Sequence, residues 1–336
     1  MNKQIIFWFF SILILNFQVF AKDKKVIIDT HLEQPQWFED SFLNFAEDLA
    51  ETSENKKRLI LYFHQVGCPY CDKFIRDNFY DQKISQQVQK YFNVIALDIW
   101  GDRLVTDFNG QEITEKAFAQ QFKVQYTPTV IFLDEKAQPL NRLNGYYPPY
   151  KFAPIVNYVG QNLNQKMPFI TYYRQQKQPK ASGKLHIKTN YLKAPYDLSE
   201  AVKHSNKPLL VLFEQKICQS CDELHQNFMD HDLKKQLEHY QIVLLDRFSK
   251  QMMITPKGQK ISMQAWANQL NIQYLPSILF FDKEKEIFRL ESWLKTDHLI
   301  TGFSYISNKA YLKEPEFQRY IRRLENEKQR LKTKNK

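Results

Sequence analysis

Apolar side chains crowd into residues 57–65, where Leu59, Ile60, Leu61, Tyr62 and Phe63 stand in an unbroken run. So short and β-favouring a run predicts a strand. A helical stretch containing Asn78-Phe79 follows, then a second strand over 93–99. The turn Asn109-Gly110 lies between short extended pieces, Thr114 caps a helix over about 115–122, and 130–133 with 139–143 make a further strand pair. A closing helix over 150–162 completes the order β-α-β-α-β-β-α.

The same landmarks return in the second half. A strand over 209–213 is followed by Asn227-Phe228, a strand over 242–245, Lys257-Gly258, a helix opened by Ser262, Leu275-Pro276 and a strand over 278–281. Asp98, Gly110 and Pro128 are separated by 12 and 18 residues, and Asp246, Gly258 and Pro276 by the same 12 and 18. The repeat unit is therefore about 150 residues, too long for a solenoid and right for a duplicated domain. The expected organisation is a leader over 1–21, a first domain over 22–175, a linker over 176–190, a second domain over 191–308 and a basic helical tail over 309–336. Gln176 to Gly183 is polar and flexible in composition, which leaves the domains free to move.

The leader sets the compartment. Lys3 precedes an apolar stretch from Ile5 to Leu15, and Val19-Phe20-Ala21 offers the small residues a signal peptidase reads. The apolar stretch is short of the roughly 20 residues that span a bilayer. A soluble product of the bacterial periplasm, or an equivalent exported space, is expected, where disulfides form.

All four cysteines of the 336 residues fall into two pairs, Cys68-Pro69-Tyr70-Cys71 and Cys218-Gln219-Ser220-Cys221. Each pair follows an apolar strand and precedes helix-forming sequence, so its first sulfur stands at a helix N-terminus, where free N–H groups and the helix dipole favour a thiolate. Cys68 and Cys218 read as nucleophiles. Cys71 and Cys221, one turn along, are placed to resolve a mixed disulfide. Four thiolates would also suit zinc, but zinc ribbons place their pairs roughly 15–20 residues apart. Here 146 residues intervene. His204, His225, His231 and His239 follow no ligand pattern, so no metal is expected.

Net charge is +10, and the segment 309–336 accounts for +6 of it, with ten Lys or Arg against four Glu. Such a tail suits a membrane surface or an acidic partner, or simply a solvated charged helix. It lacks the interleaved aromatics of a single-strand nucleic-acid site, and no nucleic acid is expected as partner.

Two CxxC motifs at strand-to-helix junctions, each followed 55 to 57 residues later by a residue-proline pair before a strand, resemble a tandem of thioredoxin-fold domains. The glycine-containing hairpin and the leader look most like exported SoxW-type thioredoxin-related proteins. The resemblance implies an α/β fold of two tandem thioredoxin-like domains, each a central mixed sheet flanked by helices. It implies cis bonds at Thr127-Pro128 and Leu275-Pro276, with Thr127, Pro128, Leu275 and Pro276 contacting an extended substrate.

The implied activity is thiol:disulfide oxidoreduction on protein thiols or disulfides, without a soluble cofactor and with a membrane redox partner. A copper- or zinc-binding or chaperone-like module is the alternative. Gly67 and Ile217 replace the tryptophan usual before the nucleophile, and Tyr62 and Leu212 replace the buried acid that serves the resolving cysteine. His64 and Glu214, four residues before the nucleophiles, would separate the two sites electrostatically if both faced the sulfurs.

Overall fold

The computed structural model describes residues 33–177, 179–291 and 294–334. The expected leader lies outside them. Helix α1 (Phe45–Glu54) opens at Asn44, whose side chain accepts the Glu47 N–H, and leads into β1 (Arg58–His64). After β1 come α2 (Pro69–Phe74), a π-helical turn over Ile75–Phe79, α3 (Gln82–Tyr91) and β2 (Phe92–Asp98). A small antiparallel pair, β3 (Leu104–Thr106) and β4 (Glu112–Thr114), precedes α4 (Glu115–Gln121), whose cap is the Thr114 side chain. Then follow β5 (Thr129–Leu133), β6 (Pro139–Asn144), α5 (Pro149–Gly160) and α6 (Phe169–Gln175).

The sheet runs β2-β1-β5-β6. β1 is parallel to β2 and antiparallel to β5, with Leu61 between Ile95 and Ile131. Alternate side chains of β1 enter two cores: Ile60 and Tyr62 pack with Phe74, Phe79 and Phe152, while Leu59, Leu61 and Phe63 pack with Phe45 and Phe118. A strand covered on both faces needs apolar residues at every position, which is why it reads as a continuous run.

The second half repeats this plan with α7 (Leu198–Lys203), β7 (Leu209–Glu214), α8 (Gln219–Asn227), α9 (His231–Leu237), β8 (Gln241–Asp246), β9 (Met252–Ile254), β10 (Lys260–Ser262), α10 (Met263–Gln269), β11 (Ser277–Asp282), β12 (Lys285–Leu290) and α11 (Thr296–Ser307). Its sheet runs β8-β7-β11-β12. The sequence reading lacked α1 and α7 and did not separate α3 and α9 from the helices before them. The last helix, α12 (Phe317–Lys334), is not wholly a solvated tail: Phe317 and Tyr320 are buried against Phe288 and Tyr305.

The two halves grip each other through matched contacts. Tyr126 donates its hydroxyl to the Arg289 carbonyl (2.6 Å), and Tyr274, its counterpart, donates to Asn141. Phe317 packs on Tyr126 (5.7 Å between centroids) as Phe169 packs on Tyr274 (5.5 Å). Each of these tyrosines stands two residues before a proline of the expected substrate groove.

Candidate redox site

Each cysteine pair forms its own disulfide, Cys68–Cys71 with an S–S distance of 2.13 Å and Cys218–Cys221 with 2.06 Å. Cys68 is the N-cap of α2 and Cys218 that of α8, and in both the leading sulfur accepts the N–H of the second cysteine at 3.1 Å. Pro69, in the first turn of α2, has no N–H to leave unsatisfied there. Cys68 is 3% exposed against 0% for Cys71, and Cys218 is 9% exposed against 1% for Cys221. The leading cysteine of each pair is therefore the more exposed residue. The bonds Thr127-Pro128 and Leu275-Pro276 are cis. Leu275 shares a core cluster with Cys218 and Cys221. A family model for the thioredoxin-like domain matches residues 45–160 and again 195–305.

The chain belongs to the thioredoxin-like family.

Among solved structures, a thioredoxin-fold protein from Helicobacter pylori is 26% identical over 36% of this chain and 80% of its own length, with a TM-score of 0.31. A thioredoxin from Thermus thermophilus is 25% identical over 34% and 83%, with a TM-score of 0.29. A protein titled DsbH oxidoreductase is 16% identical over 39% and 88%, also with a TM-score of 0.29. No curated protein matches.

The residues between each pair of cysteines touch groups of the other domain. Tyr70, between the first pair of cysteines, accepts the Lys295 N–H (2.9 Å) and lies 3.2 Å from His298 Nδ1 at the start of α11. Ser220, between the second pair, is 3.0 Å from the hydroxyl of Tyr150, at the start of α5. Beside Tyr150, the buried Lys151 donates from Nζ to the Leu275 carbonyl (3.0 Å). Burial pulls this ammonium down to about 8, against the pull of Glu223. The aromatic stretch Tyr146-Tyr147-Pro148-Pro149 lies at this boundary, with Tyr147 donating to the Glu291 carbonyl (2.7 Å).

The contact at Tyr70 carries a pH dependence. Burial lowers the His298 ring below its usual value, Asp297 opposes this and Lys295 adds to it. Nδ1 can accept the Tyr70 hydroxyl only while unprotonated. The unfolded ring takes its proton near about 6.5 and the folded ring only at lower pH, so the stability from this group is present above that value. It is lost as pH falls through the folded value. Thermal unfolding between pH 7 and 5 should therefore fall more steeply in the wild type than in His298→Gln; equal slopes would remove His298 as the cause.

His64 and Glu214, which would separate the two sites if they faced the sulfurs, behave differently. His64 hydrogen-bonds with Gln34 (2.9 Å) and stacks on Tyr62. Glu214 is fully buried and pairs through Oε1 with His225 Nε2 (2.7 Å), neither solvated nor lone. His225, which showed no pattern in the sequence, lies one helical turn after Cys221 and stacks on His186 at 4.4 Å. His186 in turn bonds Asp222 (2.6 Å), which also takes the Ser182 hydroxyl and N–H. Burial acts to raise the Asp222 carboxyl, but the hydrogen bonds from Ser182 and His186 outweigh it and hold it below the usual range. Ser182 and His186, within the expected linker, are thus tied to the CxxC helix of the second domain.

Tyr62, at the position of the family's buried acid, donates its hydroxyl to the Cys71 carbonyl (3.2 Å). Burial, aided by Asp72, raises this phenol well above its usual value, so it stays protonated and cannot serve as a base. Among the described residues no group of three or more His, Cys, Asp or Glu side chains is arranged to hold a metal ion.

Proposed function

We propose that the protein is an exported thiol:disulfide oxidoreductase that reduces or isomerises protein disulfides through mixed disulfides. The carrying observation is the pair of helix-capping CxxC disulfides, each with its leading cysteine the more exposed. Cys68 and Cys218 are the attacking thiolates, stabilised by the N–H groups that already point at them. Cys71 and Cys221 resolve. Thr127, Pro128, Leu275 and Pro276 form the substrate-facing loops. Pro-Tyr between the first cysteines and Thr before the proline favour reductase or isomerase chemistry over oxidation at that site. Export rests on residues 1–21, and turnover in the periplasm requires a membrane redox partner. The basic end of α12 suits contact with a membrane surface or an acidic partner.

The test is the reduction potential of each disulfide, from equilibration in glutathione or dithiothreitol buffers and counting of alkylated cysteines by peptide mass spectrometry. Potentials near roughly −270 mV mark a reductant, and roughly −120 to −200 mV an isomerase or oxidant. If both pairs lie below about −300 mV they are structural staples, and the proposal fails.

A further inference from the structure

The two redox sites are built from the same repeat, yet the opposite domain treats them differently. The third residue of α5 is Lys151 and the third of α11 is His298. Lys151 reaches the backbone carbonyl of Leu275, whereas His298 stops at the side chain of Tyr70. Among the described residues no group of the second domain bonds the backbone of Thr127. The space left over differs accordingly. A cavity of about 180 Å³ opens beside Thr127 and Tyr70, walled by Phe317, Ile321 and Leu324, while the cavity between Lys151, Ser220 and Pro276 holds only about 20 Å³.

An extended polypeptide that adds to an exposed backbone edge as a strand uses the carbonyl and N–H groups of that edge and lies roughly 4.8 Å away. At the second site the backbone requirement fails, because the Leu275 carbonyl is already bonded, and the cavity beside Lys151 and Pro276 is too small for a chain. Displacing Lys151 would leave a buried ammonium without its acceptor, a penalty of about tenfold to a hundredfold in occupancy. We propose that Lys151 is a specificity-determining residue that closes the second site to extended polypeptide and leaves the first as the one through which protein thiols and disulfides exchange. This rests on the oxidoreductase reading above.

The step at issue is simple exchange. The thiolate of the leading cysteine attacks a polypeptide disulfide, that S–S bond breaks and one polypeptide sulfur leaves as thiolate; the second cysteine then attacks the leading sulfur, closing the CxxC disulfide and expelling the other polypeptide thiolate. The polypeptide gains two electrons, the CxxC gives them up, and the two cysteine protons pass to the polypeptide sulfurs.

The experiment uses the reduced protein in two forms, Cys68→Ser/Cys71→Ser, which isolates the second site, and Cys218→Ser/Cys221→Ser, which isolates the first. Ribonuclease with scrambled disulfides is the polypeptide probe, 5,5′-dithiobis(2-nitrobenzoate) the small one, and alkylation with mass spectrometry the readout. The expected result is polypeptide exchange at the first site at least about tenfold faster than at the second, with a smaller ratio for the small disulfide. Lys151→Met, which keeps the apolar stem but not the donor, should raise the polypeptide rate at the second site by about tenfold. Lys151→Arg should leave it low. Equal polypeptide rates at the two sites, or no rise in Lys151→Met, overturn the inference alone. Exchange at neither site overturns the oxidoreductase reading with it. Should Lys151→Met fail to fold, the ratio between the two sites still decides.

Discussion

Serine in place of Cys71 will leave the protein covalently attached to its partners. With the resolving thiol gone, a mixed disulfide at Cys68 has no internal thiolate to expel it, and adducts that dithiothreitol reverses will accumulate on non-reducing gels. Cys68→Ser will form none, because Cys71 is wholly buried behind the first turn of α2 and cannot take the role of attacker. Its exchange rate at that site should fall by roughly three orders of magnitude or more, the scale on which removal of a nucleophile acts. Adducts of equal yield from Cys68→Ser and Cys71→Ser would contradict the assigned order of attack.

Removing His225 will be the most costly substitution away from the sulfurs. His225→Leu leaves the fully buried Glu214 carboxyl without the partner of its Oε1, and a buried polar group left unsatisfied costs about 1–3 kcal/mol. The double substitution Glu214→Leu/His225→Leu removes both polar groups and should recover most of that loss, since a buried pair replaced by apolar side chains is often neutral. Chemical denaturation of wild type, both single variants and the double variant measures the coupling. A single variant as stable as wild type would show that the pair contributes nothing to the second domain.

What could be read from the sequence followed from how local each signal was. The CxxC motifs, the Thr114 and Ser262 caps and the two residue-proline pairs are short-range patterns, and the equal spacings around Gly110 and Gly258 exposed the duplication. The Glu214–His225 pair was not legible, although two hints existed: a glutamate closing the apolar strand Leu209–Glu214, and a histidine four residues after Cys221 on one helix face. Only the packing of α8 on β7 joins them. Helix α1 has a local signal of the same kind, the Asn44 cap. The contacts of Tyr70, Tyr150, Lys151 and His298 had no sequence signal at all, because they depend on how one domain is laid against the other. At the position of the missing family acid, Tyr62 places a phenol that donates to the Cys71 carbonyl.

The matched grip of the two halves, Tyr126 on Arg289 and Tyr274 on Asn141, has the form of an isologous contact, in which the same patch meets itself about a two-fold axis. Two separate copies of one such domain would carry identical residues on both sides of that axis and could not make one site open and the other closed by sequence. Joining them in one chain releases this constraint. A single-residue difference at equivalent positions, lysine at 151 and histidine at 298, becomes heritable, and each half can drift toward its own task while the shared grip keeps them in register.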